Sequence, residues 1–217
     1  MKKMLMSAMV VALLTGGTST AMAQKGFSMS VKATPQFSFL QNSDDNDNST
    51  IKKKATFNTN FGVGAGYNFT DNLGVGIDAL YSLQGEKSEV LGQEINQKLE
   101  YVKVPVYFSY NTDPSKLVSF YGKVGPQLSI LTNAKISGGQ NEKFSDNKDK
   151  FEKVTFGAMA NAGVQFKLSQ NIFLQTGLQF DYDFTKAEDK DFIGYIPGRA
   201  NTNNMTAGVQ VGVKYRF

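Results

Sequence analysis

Hydrophobic and polar residues alternate along almost the whole chain. Over 205–217 the odd positions are Met205, Ala207, Val209, Val211, Val213, Tyr215 and Phe217, and the even positions are Thr206, Gly208, Gln210, Gly212, Lys214 and Arg216. A period of two belongs to a β-strand with two unlike faces. The same pattern predicts seven further strands, near 27–40, 55–69, 73–84, 99–110, 117–132, 154–168 and 172–185. On each, one face is rich in Phe, Tyr, Val, Leu and Ile. The other is small, polar or charged, as in Asn58, Asn60, Gly62, Gly64, Gly66 and Asn68.

The connections sort into two alternating classes. Short ones, at 70–72, 111–116 and 169–171, carry the Asn, Asp, Ser and Pro of tight turns. Long polar ones occupy 41–54, 85–98, 135–153 and 186–202. Eight strands with short turns at one end and long loops at the other predict an all-β fold: an eight-stranded antiparallel up-and-down transmembrane β-barrel, with both termini at the short-turn end.

Periodicity alone does not say which face points inward, because a soluble lipocalin-type barrel has the same strand count with its apolar face inside. Volume favours the membrane reading: eight strands enclose little more than their own side chains. More than a dozen Phe and Tyr do not fit that space, whereas Gly and Asn do. Aromatic residues also gather near the strand ends, as in the interfacial girdles of membrane barrels. Closure matters because unpaired backbone groups facing lipid cost several kcal/mol each. The chain is therefore expected in the outer membrane of a Gram-negative bacterium, as a monomer in contact with outer-membrane lipid.

The first 23 residues depart from the alternation. Lys2 and Lys3 precede an apolar run over 4–14, too short to span a bilayer as a helix, and Ala21-Met22-Ala23 is a small-x-small cleavage site. This predicts a secretory signal peptide over 1–23 and a barrel over 24–217. Removing Lys2 and Lys3 lowers the formal charge from +4 to +2, so no polybasic surface needs explaining. The chain has no cysteine, and an exported form has no disulfide to rely on.

Charge on the polar face marks the candidate site. Lys32, Asp78, Lys103, Lys123, Lys167, Asp181, Asp183, Lys214 and Arg216 all have inward parity. Charges in a narrow barrel must pair or find water. Strand lengths predict Asp78 and Lys103 at similar depth on adjacent strands, as a pair or nearly so. The set reads as an ion network that plugs the lumen; the sharper alternative is a selective pore or small-ligand site, for which eight strands leave no open channel.

Other chemistries find little support. The chain has no histidine, the usual base that activates a hydroxyl nucleophile, so no catalytic residue and no enzyme activity is expected. In 43–50, Asp45, Asp47 and Ser49 match three ligand positions of an EF-hand loop, but Thr50 and Thr56 stand where its glycine and glutamate belong. No metal or cofactor site is assigned. The glycines of 62–66 and 74–76 have no nucleotide-binding spacing and no following helix. No basic stripe suggests nucleic acid. Phe192, Ile193, Tyr195 and Ile196 in the last long connection are either a binding epitope for a protein partner or a strand extension.

Two adjacent stretches, LEYVKVPVYFSYN and FYGKVGPQLSILTNAK, resemble the PorT-like outer-membrane β-barrel family of the Bacteroidetes. The matching residues are Tyr101, Val104, Pro105, Phe120, Tyr121, Gly125 and Pro126, and the likeness is specific mainly over 99–135. It implies an eight-stranded barrel without a catalytic motif, in a family where some members are linked to secretion or gliding machinery. The terminal Phe217, with Tyr215, also resembles the signal that barrel-insertion machinery recognises. The overall reading is a structural or interaction role for a filled barrel, with transport or secretion support as the alternative and a periplasmic lipocalin-like carrier behind it.

Overall fold

The computed structural model describes residues 26–42, 51–90, 93–138, 145–146, 148–188 and 201–217. The strands are β1 (Gly26–Gln41), β2 (Ile51–Asn68), β3 (Leu73–Val90), β4 (Gln93–Asn111), β5 (Val118–Gly138), the two-residue β6 (Ser145–Asp146), β7 (Val154–Lys167), β8 (Ile172–Asp183) and β9 (Asn203–Arg216). Each long strand pairs antiparallel with its neighbours in sequence, and β1 pairs β9 from Ser28↔Arg216 to Gln41↔Asn203. That pairing closes an eight-stranded up-and-down barrel; β6 only edges β5 at Lys135 and Ile136. Closure gives every long strand two hydrogen-bonded neighbours and leaves the barrel no free edge to lipid.

The outer face is the apolar one. Phe27, Phe37, Phe57, Phe61, Phe108, Phe120, Phe156 and Phe184 all stand exposed on it. Several aromatics meet directly across strands: Phe27 and Tyr67 with ring centroids 4.9 Å apart, Phe37 and Phe57 at 5.4 Å, Phe61 and Tyr81 at 5.7 Å. Such tilted and edge-on pairs stabilise a sheet by roughly 0.2–1 kcal/mol each.

The short turns are built by their own side chains. Thr70 Oγ1 accepts the backbone N–H of Leu73 (2.8 Å), Asp113 Oδ1 that of Ser115 (3.0 Å) and Ser169 Oγ that of Ile172 (3.3 Å). At the same end the last strand is tied down: Phe217 donates its N–H to Phe27 O (3.0 Å), and Asn171 Nδ2 donates to Arg216 O (2.6 Å).

The long connections need correction. The segment 85–98, read from sequence as a loop, is a β-hairpin paired from Gln84↔Leu99 to Val90↔Gln93. Likewise β2 begins at Ile51 and β5 runs to Gly138. Beyond the apolar band neither strand face meets lipid, so the sequence alternation fades while the backbone pairing continues. One irregularity shapes this end. Tyr101 pairs Leu131 but Glu100 pairs Asn133, so Thr132 is an extra residue on β5. The bulge turns both Leu131 and Ala134 inward. They join Leu40, Leu99, Tyr101, Phe151 and Ala187 in a buried apolar cluster across the inside of the barrel's long-connection end. Residues 1–23, 43–50 and 192–196, with their signal-peptide, cation-loop and epitope readings, lie outside the described residues.

Candidate functional site in the barrel lumen

Inward positions come from all eight long strands and are mostly polar. Lys32, Asp78, Lys103, Lys123, Asp181, Asp183, Lys214 and Arg216 are buried inside, while Lys167 sits half-buried at the short-turn end of β7, in no ion pair among the described residues.

The expected pairing of Asp78 with Lys103 is not what forms. Lys103 lies opposite Leu80, not Asp78, and its ammonium reaches across the lumen to Asp181 on β8 (3.7 Å). Asp78 is taken by Lys32 of β1, with Nζ 2.6 Å from Oδ2. On β2 between them, Gly62 lies opposite Lys32 and Gly64 opposite Asp78, and a Cβ on Gly64 would fall 2.1 Å from Asp78 Oδ1 and 2.9 Å from Ser30 Oγ. The ion pair thus spans a strand that has no side chain to block it.

Two layers of the network follow. In the first, Asp78 Oδ1 also accepts the Tyr107 hydroxyl (3.0 Å), and Tyr107 is stacked over Gly76 so closely that a Cβ would touch its ring at 2.6 Å. Lys32 and Lys123 lie 5.7 and 5.4 Å from the centre of that ring, and Lys123 is 5.1 Å from the Tyr121 ring. Cation–π attraction strengthens when both partners are desolvated, as here. In the second layer Asp181 accepts Thr206 Oγ1 (2.7 Å) and Gln179 Nε2 (3.2 Å), and Asp183 accepts Thr155 Oγ1 (2.9 Å) and Ser129 Oγ (3.3 Å). These carboxylates are satisfied by hydroxyl and amide donors as buried charges require.

The charge is unevenly spread. Lys123, Lys214 and Arg216 lie toward the short turns, and the two aspartates of β8 toward the apolar cluster. Sequence reading missed the inward aromatics: Tyr101, Tyr107, Tyr121 and Phe173 are all buried, and Phe173 lies 4.9 Å below the Arg216 guanidinium. The signal was present, since Tyr101 and Tyr107 share the parity of Lys103, and Tyr121 that of Lys123. The motif residues Tyr101, Pro105, Tyr121 and Gly125 likewise share one inward wall on β4 and β5.

Arranged this way, the lumen holds ions and amides in fixed positions and leaves a cavity of about 20 Å³ near the short turns, room for roughly one water-sized particle.

The comparisons agree with this architecture. In fold, the chain is similar to the surface protein NspA of Neisseria, at 15% identity, over 88% of this chain and 97% of that one, with a TM-score of 0.52. It is similar to OprG of Pseudomonas aeruginosa, at 13% identity over 90% and 98%, with a TM-score of 0.51. It is also similar to a major outer membrane protein of Thermus thermophilus, at 13% identity over 88% and 99%, again with a TM-score of 0.51. No curated protein matches it in sequence. The model of the outer membrane protein beta-barrel domain matches residues 9–217, and the chain belongs to that outer-membrane family.

Proposed function

We propose that this protein is a closed, non-catalytic outer-membrane barrel whose work is done by the parts that project beyond the membrane, as a structural or interaction protein. The observation that carries this reading is the filled lumen. The apolar cluster of Leu40, Leu99, Tyr101, Leu131, Ala134, Phe151 and Ala187 lies across one end, and below it run two layers of paired ions. A solute crossing the barrel would have to displace both. The extended β3–β4 hairpin, which runs to Val90 and returns from Gln93, is the kind of projecting surface a protein partner would meet. On this reading the chain is exported by its first 23 residues, inserted by machinery that recognises Tyr215 and Phe217, and works as a monomer surrounded by lipid.

The resemblance to PorT-like barrels over 99–135 supports a second reading, support of a secretion system. Tyr101, Pro105, Tyr121 and Gly125 line one wall of the lumen, which accounts for that pattern by packing and leaves the outward surface of the barrel to any partner.

Conductance of the purified, refolded chain in planar bilayers tests the primary reading. It predicts a silent membrane at physiological salt. Steady single-channel currents overturn it in favour of a conduit.

A further inference from the structure

We propose that the short-turn half of the lumen binds a small monovalent inorganic anion of halide size, held between Lys123 and Lys214.

Charge is out of balance in this half of the lumen. Among the described residues four buried cations face this half, Lys32, Lys123, Lys214 and Arg216, with the half-buried Lys167 at its rim. Asp78 is committed to Lys32 at 2.6 Å and to the Tyr107 hydroxyl at 3.0 Å. Asp71, in the turn between β2 and β3, lies within electrostatic reach of Arg216. Asp181 and Asp183 are engaged farther along with Lys103, Thr206, Thr155 and Ser129. Among the described residues neither Lys123 nor Lys214 forms an ion pair with a carboxylate.

Each is only 8% exposed, so little water solvates its ammonium. Lys123 has neutral partners, donating to Gln175 Oε1 at 3.2 Å and lying over the Tyr107 and Tyr121 rings. Lys214 has neither a side-chain hydrogen bond nor an ion pair among the described residues. A buried ammonium with no counter-charge is among the costliest groups a fold can hold, at several kcal/mol.

A separate observation points to the ligand. Lys123 and Lys214 line the same cavity, with Ser28, Ser109, Asn68 and Asn111. The side-chain amide nitrogens of Asn68 and Asn111 are buried in it without an acceptor, and Arg216 nearby has Nε and Nη2 in the same condition. The pocket therefore presents an excess of donors and two amino groups that form no ion pair among the described residues. A water molecule accepts only two hydrogen bonds and carries no charge, whereas a halide accepts several and cancels the field. The space, about 20 Å³, has room for a particle of that size. Gly66 on the same wall keeps the β2 side of the pocket free of bulk.

The test uses the refolded full chain in detergent micelles. Urea unfolding is followed at constant ionic strength while sodium gluconate is replaced by sodium chloride. A ligand that binds only the folded state raises the midpoint with a saturating dependence on its concentration. The midpoint is expected to climb with chloride in the wild type and in Lys116→Met, which alters an exposed turn lysine, and to be chloride-independent in Lys214→Met. Crystals soaked in bromide supply a measurement that needs no variant, so a misfolded Lys214→Met does not leave the matter open. An anomalous peak beside Lys214 Nζ inside the barrel supports the site. Identical unfolding in chloride and gluconate, or bromide found only at surface lysines, overturns it, and so does an undiminished chloride effect in a folded Lys214→Met.

Discussion

Lys32 on β1 and Asp78 on β3 form a 2.6 Å ion pair across the intervening strand β2, and both side chains are 1% exposed. Removing one partner of such a pair leaves a bare charge in a dry interior. Asp78→Asn is expected to destabilise the barrel by about 3–5 kcal/mol. Converting Lys32 to Met in the same chain should recover most of that loss, because the cost lies in the orphaned ammonium beside Lys123. A double-mutant cycle by urea unfolding checks this; additive losses would show that the two residues act independently.

The pair depends on the bare backbone at Gly64. A methyl group there would lie 2.1 Å from Asp78 Oδ1, the oxygen that accepts the Tyr107 hydroxyl, so the carboxylate must shift from its place in the network. Gly64→Ala should therefore cost about 1–3 kcal/mol, the range typical of overpacking. Asp78→Asn should remove part of this penalty, since the displaced group is no longer charged. The two variants compared in one unfolding series decide whether the conflict is at the carboxylate.

Phe151 is the one large ring of the apolar cluster supplied from outside the barrel strands, and it is 1% exposed. Phe151→Ala should cost up to about 3–5 kcal/mol and admit water to the layer beneath. The chain has no native cysteine, so a single Ser129→Cys reports on that layer cleanly. Its reaction with a water-soluble thiol reagent should be slow in the otherwise wild-type barrel and at least tenfold faster with Phe151→Ala.

Asp113 shapes the turn between β4 and β5. Its carboxylate accepts the hydroxyl of Ser115 (2.6 Å) and that residue's N–H (3.0 Å), and lies 3.7 Å from Lys116. Chiefly through the Ser115 bonds its pKa is held below the ordinary aspartate value. A carboxyl depressed in the folded state adds stability that is present above its unfolded pKa and is lost as pH falls through the folded one. Carboxyl NMR should place its midpoint below that of a free aspartate, and Ser115→Ala should bring the midpoint back up.

The barrel was legible in the sequence because lipid imposes a strict rule on every second residue. Odd positions such as Val209, Val211 and Val213 had to be apolar, and Gln210, Lys214 and Arg216 had to be otherwise. Strand number and the two unlike faces follow from that rule, and the inward direction of Lys32, Asp78 and Lys103 follows from it together with the small volume that eight strands enclose. Where lipid ends, so does the rule, which is why 85–98 read as a loop although its backbone continues the ladder. Pairing inside the lumen obeys no sequence period either. Lys103 bonds Asp181, 78 positions away in the chain, because barrel curvature sets β4 and β8 facing one another, and Lys32 meets Asp78 because Gly64 leaves the path between them open. The sequence by itself determined which face of each strand entered the lumen; the bulge at Thr132 and closure of the sheet decided the rest and which residues touch, since distances across a closed cylinder depend on register and on the bulk of the strands between.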